Sequence, residues 1–130
     1  MKTILTTILL GVLISIPTLS GCSKNSRSVI QESQTLLSSG KYEEAIDMLE
    51  QAYRADGTAD SLKPVLTNAH LLYGNYLMYK SDLPQSQKYG KALTEFRRVL
   101  TLDFGNQEAK KNKEIIEGIY IQEGIPLPKE

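Results

Sequence analysis

Cys22 is the only cysteine of the chain and His70 its only histidine. A lone cysteine can build neither an internal disulfide nor a cysteine-rich metal site. Its thiol remains the strongest side-chain nucleophile available for forming a thioether. His70 could serve as a base beside any of several carboxylates, yet no Ser or Cys nucleophile stands with a relay, and no Gly-rich phosphate loop sits at a strand-to-helix junction. A lone histidine on a helix is more often packed or solvated. The sequence therefore predicts no catalytic residue, no cofactor and no small-molecule substrate. Glu43, Glu44, Asp47 and Glu50 form an acidic run whose spacing supplies no fixed cation geometry. They are predicted to be a solvated helix face, with no metal site. Tyr73, Tyr76 and Tyr79 combine large contact area with a polar tip, and suit either a recognition surface or a core between helices.

The elements that position these residues show themselves as a repeat. Lys41 to Asp56, KYEEAIDMLEQAYRAD, slides onto Lys88 to Asp103, KYGKALTEFRRVLTLD, with Lys41, Tyr42, Ala45 and Asp56 falling on identical residues. Ile46, Leu49, Ala52 and Tyr53 fall on apolar partners Leu93, Phe96, Val99 and Leu100. The apolar positions trace one face of a helix and not the alternation of a strand. A repeated amphipathic helix is the mark of a stacked helical array. With 130 residues the chain amounts to a single domain, and its formal net charge is +0. That balance provides no electrostatic footprint for nucleic acid.

Residues 1–21 have the form of a signal peptide. Lys2 precedes an apolar stretch from Ile4 to Ile16 that Pro17 breaks, shorter than the roughly 20 residues of a membrane span but suited to a secretory core. Leu19-Ser20-Gly21-Cys22 resembles the lipobox of bacterial lipoproteins: an aliphatic residue, two small ones and the cysteine. The resemblance implies that Cys22 is acylated and becomes the first residue after cleavage. At about 0.8 kcal/mol per buried methylene, two or three acyl chains hold a protein firmly in a bilayer. The chain is then anchored to the envelope, not spanning it. Ser23 after the cysteine implies outer-membrane sorting, facing the periplasm, where the organism has two membranes. Residues 22–27 are predicted to be the lipidated terminus and a polar tether.

The helical domain is predicted over residues 28–123, opening on a Ser28/Gln31 capping box. Its first helix ends at Ser38-Ser39-Gly40, and a second runs from Lys41 to Ala55. Gly40, Tyr42, Ala45, Leu49 and Ala52 resemble the second-helix half of the tetratricopeptide repeat, in which small residues let helices approach closely. Helix three is predicted over Leu62–Tyr79, capped by Asp60 or Ser61, with Pro64 in its first turn. Gly74 takes the repeat's small-residue position. Lys80 to Gln87 reads as an inserted loop, and Lys88–Leu102 repeats the second helix. Asn106 is predicted to cap a fifth helix, Gln107–Glu123, which Gly124 ends and Pro126 and Pro128 keep from resuming. Residues 124–130 form a Pro-containing tail. The resemblance implies an all-α fold: a short right-handed array of about five helices in antiparallel pairs, closed by a capping helix.

Arrays of this family bind proteins or peptides with the first helix of each repeat. That implies an envelope adaptor or scaffold with a protein or peptide partner, its binding face on helix three at Asn68, Leu71, Asn75, Met78 and Tyr79. The alternative is a structural subunit of a larger envelope assembly, without a peptide groove.

Overall fold

The computed structural model describes residues 25–55 and 59–129. Cys22, the predicted signal peptide, and Ser23 and Lys24 of the predicted tether lie outside the described residues. The chain folds into five helices: α1 Ser26–Ser38, α2 Tyr42–Ala55, α3 Ala59–Tyr79, α4 Gln85–Leu102 and α5 Gln107–Glu123. The fold is all-α, with neighbouring helices packed as antiparallel pairs, and no strand occurs among the described residues.

Helix termini follow local chemistry. Gly40 and Gly124 both take positive φ, 75° and 64°, the left-handed conformation that closes a helix at little cost only for glycine. Asn106 caps α5 by accepting from the Ala109 amide at 3.0 Å, and both ends of that helix fall where the sequence places them.

α2 starts one residue late, at Tyr42, and three helix starts differ from expectation by two residues or more. α1 begins two residues earlier, at Ser26, because Asn25 accepts from the Arg27 amide at 3.2 Å. The Ser28 hydroxyl donates back to the Asn25 carbonyl, so Ser28 is inside the helix and not its cap. α3 begins at Ala59, which places Asp60 and Ser61 within it and Pro64 beyond the first turn. Pro64 lacks the amide that would donate to the Asp60 carbonyl, a local cost. Leu62 and Leu66 on either side of it are fully buried, and each such side chain contributes about 1.5 to 3 kcal/mol. Burial outweighs the missing bond. α4 begins at Gln85, one turn early, with Pro84 as its cap and the Gln87 and Lys88 amides donating to the Pro84 carbonyl. The predicted insertion shrinks to residues 80–84.

Two apolar clusters hold the array. At one end Val29, Ile46, Leu49, Leu62, Leu66 and Leu102 come together from α1, α2, α3 and α4. At the other, Leu77, Leu93, Phe96, Ile116 and Tyr120 join α3, α4 and α5. The repeat-related pairs Ala45/Ala92 and Leu49/Phe96 are all fully buried. Phenylalanine at Ala45 or Ala92 should therefore overpack a helix contact and cost about 1 to 3 kcal/mol. Thermal midpoints equal to wild type in both variants would show that neither site is tightly packed.

Candidate functional site

α3 contacts α1, α2 and α4, so only part of its circumference is open. Gly74 points inward: a Cβ built there would lie 2.8 Å from the Phe96 ring. At 100° per residue, the direction opposite Gly74 is occupied by Leu72 and Tyr76, with Asn68 and Tyr79 beside them. Leu72, Tyr76 and Tyr79 are 40%, 38% and 62% exposed.

The residues of the expected binding face are not all open. Met78 is a correction: it is buried in the core cluster of α3, α4 and α5. Leu71 is half-buried and packs on that same cluster. Asn75 is engaged by α5, donating to Glu108 at 2.8 Å and accepting from Asn112 at 2.8 Å. The Tyr79 hydroxyl donates to Asn112 as well, at 3.1 Å. Asn112 is itself buried, so this amide chain is the polar seam that docks α5 onto α3. Asn68 stays exposed and lines, with Leu71, a groove of about 420 Å³ between the start of α3 and the α4–α5 turn. Lys63 and Pro64 form one wall, Leu102 and Asp103 the other. Leu72 and Tyr76 were missed, although stepping half a turn from Gly74 finds them.

The tyrosines divide. Tyr73 stacks on Tyr42 with centroids 5.5 Å apart, and Tyr76 tilts against the same ring at 5.1 Å. Burial pushes the Tyr73 phenol up, and its hydrogen bond to Glu43 and that residue's charge push it further. Tyr73 thus stays a neutral donor tying α3 to α2, while Tyr79 faces outward.

A charged cluster joins α2, α3 and α4. Glu50 is buried, unlike the exposed Glu43, Glu44 and Asp47, which corrects its expected place on a solvated face. Its Oε1 accepts from Arg98, with Nη2 at 2.7 Å and Nε at 2.8 Å. Arg54, one turn along α2, reaches its Oε2 at 3.4 Å. His70, also buried, donates through Nδ1 to Glu95 at 2.6 Å, since a carboxylate offers only acceptors. Its Nε2 lies 3.4 Å from Glu50. Burial pushes the Glu50 carboxyl up, but the hydrogen bond and charge of Arg98, then those of His70, outweigh it and hold the group below its ordinary range. The Arg98 guanidinium occupies the oxygen a metal would need, and no group among the described residues is arranged to hold a metal ion.

No family model, curated protein or solved structure matches this chain. Its functional reading rests on its own residues. Geometrically, Glu50, His70, Glu95 and Arg98 form an internal brace, and Leu72, Tyr76 and Tyr79 leave an exposed apolar and aromatic surface on α3. Among the described residues no helix is long and apolar enough to cross a membrane.

Proposed function

We propose that this protein is a bacterial lipoprotein, held in the cell envelope by acylated Cys22, whose tetratricopeptide-like array binds a protein or peptide partner on the outward face of α3. In an organism with two membranes it stands on the outer membrane and faces the periplasm. The observation that carries the binding role is the row of Leu72, Tyr76 and Tyr79 exposed on one helix, with a groove lined by Asn68 and Leu71 on another side of the same helix. Leucine and tyrosine there offer apolar contact area, and Asn68 and Lys63 offer polar groups at the groove, the mixture that holds an extended segment by its backbone and a few side chains.

Two measurements test the two halves of this reading. Cys22→Ala is expected to leave an unacylated precursor that the lipoprotein peptidase does not cleave. A wild-type protein recovered soluble with a free thiol would refute the anchor. For the binding face, a partner is captured by crosslinking in intact cells and its affinity measured in vitro. Leu72→Ala and Tyr76→Ala should each weaken it by roughly tenfold, as truncation of a contact worth more than 1 kcal/mol does. Asp47→Ala, on the solvated face of α2, should not. Wild-type affinity in both folded variants would move the contact elsewhere and favour the structural-subunit role.

A further inference from the structure

Three residues separate Cys22 from the start of α1, a reach of roughly 14 Å even if fully extended. With Cys22 acylated as proposed above, whatever lies at that end of the array is held against the bilayer. The apolar cluster of Val29, Leu62 and Leu102 shows which parts those are: the start of α1, the start of α3 and the end of α4. The groove walls agree, since Lys63 and Pro64 face Asp103 and Asn106.

At the tip of the α4–α5 turn stands Phe104, 79% exposed. Lys110 lies over its ring, 4.5 Å from the centroid. An aromatic ring exposed at a turn contributes nothing to the core, and a lysine folded over it can keep its ammonium at headgroup level while the ring enters the acyl boundary. Arg27, Arg54, Lys63, Lys110 and Lys111 fall in the terminal turns at that end, against the carboxylates Asp60, Asp103 and Glu108 and, next in sequence after α2, Asp56, so the cations lead by one. Three helices start there and two end there, so their dipoles add to the positive balance.

We infer that Phe104 and the basic residues around it form an interfacial docking site for an anionic bilayer, which sets the array upright on the membrane with the outward face of α3 free. The inference rests on the anchoring of Cys22 proposed above. The opposite end also exposes apolar residues, Ile121 and Ile125, but the short tether directs that end away from the lipid.

The chain contains no tryptophan and one cysteine, which permits a direct test. Phe104→Trp and Ile121→Trp each introduce a single reporter. Each variant is reconstituted into phosphatidylethanolamine–phosphatidylglycerol vesicles with plain or brominated acyl chains, in two forms: as purified from membranes, and as the chain beginning at Cys22 coupled through its thiol to a maleimide lipid. Mass analysis of the first form reads native acylation alone. In the coupled form Phe104→Trp should lose at least about half its emission to the brominated lipid, the response of a ring seated in the headgroup–acyl boundary, while Ile121→Trp is unchanged. Equal emission losses for the two reporters overturn the docking site. So does an indole in the Phe104→Trp variant that is shielded from aqueous quenchers but untouched by bromine, which would mean burial against a second copy of the chain. An unacylated Cys22, with the Phe104→Trp reporter still quenched in the coupled form, refutes the lipoprotein reading and supports the docking site.

Discussion

Replacing Glu50 by alanine is expected to destabilise the array by about 2 to 4 kcal/mol. Removing one partner of a buried ion pair typically costs about 3 to 5 kcal/mol, because the charge left behind is uncompensated. The lower figure applies here because Arg98 is 32% exposed at its side chain and can partly rewet. His70 cannot, being buried between α2 and α4. Urea titration of Glu50→Ala, Arg98→Ala and the double variant checks this. The double variant should lose less than the sum of the two single losses, since the second deletion removes a charge the first has orphaned. Strict additivity would mean that the pair is not coupled.

The same carboxylate predicts a pH dependence. Its folded pKa lies below the ordinary value of 4.5, so the charged form is favoured by folding. The stability this confers is fully present above pH 4.5 and is lost as pH falls through the folded value. Glu50→Gln should be less stable than wild type at neutral pH, and the gap should close on acidification below 4.5. A gap that stays constant would show that Glu50 is not held in its charged form by Arg98 and His70.

Phe96→Ala is expected to be at least as damaging, by about 3 to 5 kcal/mol, since the ring is fully buried and its loss leaves a cavity that packed helices fill only in part. Its contact with Gly74 makes a sharper test. In wild type, Gly74→Ala places a methyl within 2.8 to 3.1 Å of three ring carbons. That ring is rigid and enclosed, so it cannot swing aside, and overpacking of this kind costs about 1 to 3 kcal/mol. Against it stands the gain of about 1 kcal/mol from alanine in a helix interior. The net effect should be loss. With Phe96→Ala already in place the clash is gone and only the propensity gain remains, so Gly74→Ala should then stabilise. Thermal melts of the four proteins read this reversal of sign. If Gly74→Ala has the same effect in both backgrounds, the close approach of α3 to α4 at this point is wrong.

Much of the architecture is legible in the chain because it depends on local rules. The recurrence of Lys41, Tyr42, Ala45 and Asp56 at Lys88, Tyr89, Ala92 and Asp103 marks two equivalent helices, and their apolar spacing decides which faces are buried. Gly40, Gly124 and Asn106 end or begin helices through conformational freedom and a capping oxygen, both properties of a single residue and its neighbours. Even Gly74 declares itself, as a small residue where a helix must pass close to another.

Helix starts and the open face of α3 needed the tertiary structure. α3 starts three residues before the predicted Leu62, which puts Pro64 beyond the first turn, and the burial of Leu62 beside Val29 and Leu102 offsets that cost, a gain that no local propensity contains. The brace of Glu50, His70, Glu95 and Arg98 joins residues on three helices far apart in sequence. Its charges carry no periodicity, so within α2 Glu50 looks like Glu43 and Glu44, and only its neighbours on α3 and α4 set it apart. Likewise Met78 stands only about 40° around the helix from Gly74 and Asn75 about 100°, and the packing of α4 and α5 covers one and engages the other. That leaves the surface to Leu72, Tyr76 and Tyr79, because which side of a helix stays open is decided by how many neighbours pack on it and from where.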